Sequence, residues 1–156
     1  MIALLVVVLS AILVGRAEAA DRWHWPIVGA VSRTFERPAS AWGAGHRGID
    51  IVAGVGATVR SPVAGTVTFV GPVAGRGVVV VSTPYDEDVT LEPVDPTVLQ
   101  GDVVEAGDVV GLLRAGHDGG NALHFGVRVH GAYVDPLGLL PEQPRIVVYD
   151  STLLSW

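Results

Sequence analysis

Cysteine and lysine are both absent from this 156-residue chain, and a single methionine is present. Without cysteine there are no disulfides and no thiolate ligands, so any bound metal must rest on histidine and carboxylate. All ten basic residues are arginine against sixteen acidic ones, and the net charge of −6 argues against nucleic acid and against a polybasic membrane surface. Long apolar runs are scarce as well. The one candidate, Ile2 to Val14, is apolar apart from Ser10 and falls short of the about 20 residues that a spanning helix needs. With Ala17-Glu18-Ala19 behind it, the segment 1–19 reads as an export signal cleaved after Ala19. The absence of Lys or Arg before the run departs from the usual signal pattern; a retained N-terminal anchor is the alternative to cleavage, and only then would the chain meet a membrane.

Residues 20–25 form a short lead containing Trp23 and Trp25, and a loop rich in small and polar residues runs from about Arg33 to Gly45. From Gly48 onward the chain alternates short β-branched runs with glycine punctuation. The expected strands are Ile49 to Val52, Thr66 to Val70, Val78 to Val81, Val89 to Leu91, Val109-Val110, and Leu123 to Val129. No helical stripe is present beyond the N-terminal segment. Twenty glycines and ten prolines at such spacing predict an all-β single domain, a sandwich or barrel, followed by a tail. The tail contributes at most an edge strand near Arg145 to Tyr149. Gly54 to Val59 and Gly101 to Gly111 echo the paired turns of lipoyl and biotinyl carrier domains, but a chain without lysine has nowhere to attach such a cofactor.

Chemistry concentrates in two fragments, His46-Arg47-Gly48-Ile49-Asp50 and Leu123-His124-Phe125. One His–Asp–His set can close around one zinc ion and leave a fourth position for water. In an extended strand residues i and i+4 lie about 13 Å apart, too far to share an ion. The chain must therefore bend, and Gly48 is the residue expected to permit it, with His46 on the incoming loop and Asp50 at the strand start. His124 is expected to point away from its apolar neighbours Leu123 and Phe125. Taken alone, His46 and Asp50 also read as a surface ion pair, and His124 as a hydrogen-bonded strand histidine.

The motifs resemble those of the lysostaphin-type, LytM-like zinc murein endopeptidases. The family's His-x-Gly-x-Asp is matched by His46 to Asp50, its following turn and strand by Gly56-Ala57-Thr58-Val59 and Ala64-Gly65-Thr66-Val67, and its His-Leu-His-Phe by Ala122-Leu123-His124-Phe125. Tyr133-Val134-Asp135-Pro136-Leu137 resembles the closing Val-Asp-Pro. The resemblance implies the β-sandwich or barrel-like fold of that family over residues 26–140, ahead of a tail at 141–156, with Zn²⁺ on His46, Asp50 and His124. It also implies an exported domain of the cell envelope acting on peptidoglycan peptides.

Two positions depart from the pattern. Val94 and Ala122 stand where the family carries helper histidines. Glu92 is expected to share strand parity with Val94 and to serve as a substitute base, and His117, in a glycine-rich loop, is a second candidate. Trp42, Arg47 and Arg128 are candidate substrate contacts, against packing or surface roles. The rival reading is a non-catalytic module that binds peptidoglycan or activates a cell-wall amidase. A phosphoryl carrier of the sugar-transport type would need two facing histidines, and Ala122 and the export signal weigh against it.

Overall fold

A computed structural model describes residues 22–40, 43–116 and 120–143. The export segment, Trp42, His117 and the expected edge strand near Arg145 lie outside the described residues. Eleven strands are present among those described: β1 (Ala30–Arg33), β2 (Ile49–Val52), β3 (Thr58–Arg60), β4 (Gly65–Val73), β5 (Arg76–Ser82), β6 (Glu87–Glu92), β7 (Val94–Pro96), β8 (Val103–Val104), β9 (Val109–Leu113), β10 (Ala122–Val129) and β11 (Ala132–Val134). The only helical piece among them is a 3-10 turn at Pro136–Gly138. No described helix is long and apolar enough to cross a membrane.

The expected all-β class is observed. An antiparallel sheet runs β1-β2-β10-β6-β5-β4-β8, with β11 beside β10, and a smaller one runs β3-β9-β7. Neither sheet closes on itself, so the architecture is an open two-sheet one and not a barrel. The turn expected within Gly101 to Gly111 joins β8 of the large sheet to β9 of the small one. Gly107 takes a φ of 90° there, which only glycine adopts without strain.

Alternation decides what each face carries. In β6, Val89 and Leu91 point inward, while Asp88, Thr90 and Glu92 alternate with them. In β10, Leu123, Phe125 and Val127 are fully buried, and in β2 so are Ile49 and Ile51. Val59, Val94, Val110 and Leu113 of the small sheet join the same core. Each such side chain contributes about 1.5–3 kcal/mol by leaving water. Trp23 and Ile27 also belong to this core, so the lead segment packs into the domain. Trp25 sits at the margin and donates its indole N–H to the Pro141 carbonyl at 2.9 Å.

Candidate metal centre

The central strand of the site is β10. His124 lies directly opposite Asp50 of β2 on one side and opposite Glu92 of β6 on the other. All three alternate with core residues, so packing the inner face of three adjacent strands sets a carboxylate, an imidazole and a second carboxylate in one row on the outer face. His46 enters from the preceding loop, as expected. An isolated two-bond bridge between the backbones of Glu36 and His46 holds it there, with both N···O distances 2.9 Å.

Gly48 does not work by bending the chain through a special φ. A Cβ at that position would lie 2.3 Å from the carbonyl oxygen of Phe125 and 2.9 Å from the Cα of Gly126. The glycine is needed because the backbone carrying two candidate ligands must pass against the strand that carries the third.

The resulting cluster is tight. His46 Nε2 lies 3.0 Å from Asp50 Oδ1 and 3.2 Å from His124 Nδ1, and His124 Nδ1 lies 2.8 Å from the same Asp50 oxygen. The two imidazoles meet edge to face, with ring centroids 4.9 Å apart. His46 is 7% exposed. Its Nδ1 donates to the Thr34 carbonyl at 2.8 Å, which assigns the ring proton to Nδ1 and leaves the Nε2 lone pair facing the cluster. One proton cannot serve three converging acceptors, whereas a cation can. Two ligands of a tetrahedral zinc stand about 3.3 Å apart, and the three edges observed approach that separation. The donor set therefore fits a metal ion of the borderline, nitrogen- and oxygen-binding kind.

A cavity of about 390 Å³ opens over this cluster, lined by Asp50, His124, Glu92, Ala122 and Arg76 among others. Glu92 is thus beside the cluster, where its Oε2 lies 3.5 Å from Arg76 Nε. Glu92 and Val94, expected to share a strand face, lie on different strands. β6 ends at Glu92, the chain turns at a cis Glu92–Pro93 bond, and Val94 begins a strand of the other sheet. Val94 is fully buried in the core. Ala122, two residues before His124 on the same face of β10, is half-buried and lines the cavity.

A prediction follows from that asymmetry. Ala122→His should fold and hold its imidazole in the cavity. Val94→His should lose about 2–4 kcal/mol of stability, because a larger, polar ring is forced into an apolar site backed by Gly111. Thermal unfolding of the two variants checks it, and equal melting temperatures would contradict the placement.

The two arginines expected at the substrate lie elsewhere. Arg128 pairs with Asp88 at 2.8 Å, and Arg47 donates to the Gly43 carbonyl at 3.1 Å. Both guanidinium groups lie within 6 Å of the Tyr133 ring, at 5.9 and 5.8 Å from its centroid, and neither lines the cavity over the cluster. His130 is exposed and pairs with Asp86. Sequence reasoning missed Arg76 and the Thr34 carbonyl. Arg76 follows the two-residue Ala74-Gly75 hairpin turn, and the register that sets Val79 opposite Leu91 carries it diagonally toward Glu92. The runs Thr66 to Val70 and Val78 to Val81 were legible, but neither the turn between them nor the pairing with β6 was.

Comparison with known proteins agrees with this geometry. The description of Peptidase family M23 matches residues 44–136. An uncharacterized protein of Mycobacterium tuberculosis is 41% identical over 151 residues, covering 89% of this chain and 61% of the relative's own length. The murein hydrolase activator NlpD of Escherichia coli is 28% identical, covering 78% of this chain and 32% of the activator. Among solved structures, a zinc-containing peptidase from Vibrio cholerae superimposes with a TM-score of 0.64 at 26% identity, covering 79% of this chain and 41% of that one.

Proposed function

Because the chain belongs to Peptidase family M23, we propose that it is an exported zinc metallopeptidase domain that hydrolyses peptide bonds of peptidoglycan in the cell envelope. The observation that carries this reading is the His46–Asp50–His124 cluster, complete and opening into a cavity that also holds a carboxylate. Zinc bound there would polarise the substrate carbonyl and lower the pKa of a bound water to about 7. The rest falls to the chain's own side chains. Asp50 and the two imidazoles would supply three ligand atoms to that ion. The Thr34 carbonyl fixes the orientation of the His46 ring. Glu92, on the strand opposite His124, accepts a proton from water and returns it to the leaving amine. Arg76, whose Nε lies 3.5 Å from Glu92, lines the same cavity without gripping the carboxylate. Trp42 and His117 lie outside the described residues and are candidates on the sequence alone.

Glu92→Gln tests the proton transfer. The variant should hold zinc as the parent does and cleave peptidoglycan about 100-fold or more slowly, the effect of removing a general base. The readouts are metal analysis and a digest of purified peptidoglycan followed by separation of the muropeptides. Unchanged cleavage would remove Glu92 from the mechanism.

A second reading has its own support, in the replacement of both helper histidines and in the similarity to a murein hydrolase activator. On that reading the domain binds peptidoglycan, or stimulates a separate cell-wall amidase, without cutting. A parent chain that holds zinc, cleaves nothing and raises amidase turnover would favour it.

A further inference from the structure

A second cavity of about 260 Å³ adjoins the metal cavity, sharing Arg76, Pro93 and Gly116 with it. Among the described residues its charged lining consists of Arg76 and Arg114, with no carboxylate. Their acidic partners, Glu92 and Asp95, stand outside that lining. The arginines are only loosely engaged. Arg76 Nε lies 3.5 Å from Glu92, and Arg114 Nη1 lies 3.7 Å from Asp95, both longer than a charge-assisted hydrogen bond of about 2.7–2.9 Å. Side-chain exposures of 45% and 56% leave both guanidinium groups open to an incoming ligand.

We infer that Arg76 and Arg114 form a carboxylate subsite that receives the free C-terminal carboxylate of a peptide whose scissile bond lies over the metal cluster. The inference rests on the peptidase reading above and adds the chemical class of the group recognised. A planar guanidinium presents paired N–H donors that match a carboxylate. Two of them at one end of a continuous depression favour an anion over a neutral amide. Pro93 forms the boundary between the two cavities, and its carbonyl accepts from the Arg114 backbone N–H at 3.1 Å, which ties the subsite to the end of β6. Arg47 and Arg128, engaged around Tyr133, do not line either cavity.

The test uses the full chain with added zinc chloride and two probes, diacetyl-Lys-D-Ala-D-Ala and its C-terminal carboxamide. The first has one carboxylate and the second none. Calorimetric titration should show the acid binding about tenfold more tightly than the amide, the value of one charged hydrogen bond. Arg114→Gln should weaken the acid by about that factor and leave the amide unchanged. Arg114→Lys should restore part of the preference, since it keeps the charge and loses the fork. Equal binding of acid and amide, no binding of either, or an acid preference that survives Arg114→Gln would each overturn the subsite. The last of these would place the carboxylate on the metal instead. Zinc content and peptidoglycan cleavage are read separately. A chain that prefers the acid but cleaves nothing refutes only the peptidase reading, and one that cleaves without preference refutes only the subsite.

Discussion

His124→Ala is expected to purify with little or no zinc, while the parent chain holds about one zinc ion, the stoichiometry of a single three-ligand site. The side chain supplies the atom that both His46 and Asp50 face, at 3.2 and 2.8 Å. Removing it leaves two ligands, too few for a stable mononuclear site, and affinity should fall by more than about 100-fold. The fold should survive, because Leu123 and Phe125 on the opposite face of β10 carry the packing. His130→Ala is the control. That imidazole is exposed and paired with Asp86, so its loss should leave metal content unchanged. Acidification should release zinc from the parent, because an imidazole must be unprotonated to ligate, and zinc in turn should raise the melting temperature at neutral pH. Equal metal content in the parent and His124→Ala would remove the cluster from the argument altogether.

The second large effect is expected at Gly48. A methyl group there meets three backbone atoms of β10, the closest at 2.3 Å, and backbone cannot rotate out of the way. Gly48→Ala must therefore push β2 and β10 apart at the point where Asp50 and His124 face each other. We expect a loss of about 3 kcal/mol, roughly 10 °C in melting temperature, together with weakened zinc binding. Gly54→Ala is the matched comparison. No atom lies within 4 Å of its added methyl group, so that variant should be nearly neutral or slightly more stable. Similar melting curves for the two variants would show that the close approach is not tight.

Much of the sheet was legible because the β-branched runs lie between glycines and alternate strictly. Ile49–Val52 was delimited as observed, and the runs around Val89 and Phe125 needed only their end residues. The short strands were not legible. β3, β7, β8 and β11 have two or three residues each, too few to show a period, and they form because longer neighbours offer them a ladder. The hardest error, Val94, has the same origin. A rule of period two holds only along one continuous strand, and at Pro93 the chain leaves one sheet for the other.

The candidate site divides along the same line. Residue types alone restrict any metal to histidine and carboxylate, and the resemblance of the two motifs to a known family selects His46, Asp50 and His124 from five histidines and sixteen acids. Those choices are local, since each concerns which side chain a short segment can present. Strand order and register belong to the tertiary structure, because they depend on which strands find each other across dozens of residues. They set β10 between β2 and β6, bring Glu92 and Arg76 to the rim of the cluster, and consign Val94 to the core. They also reveal why Gly48 is a glycine. Its reason is an atom of Phe125, 77 residues further along the chain, that no neighbour in sequence could announce.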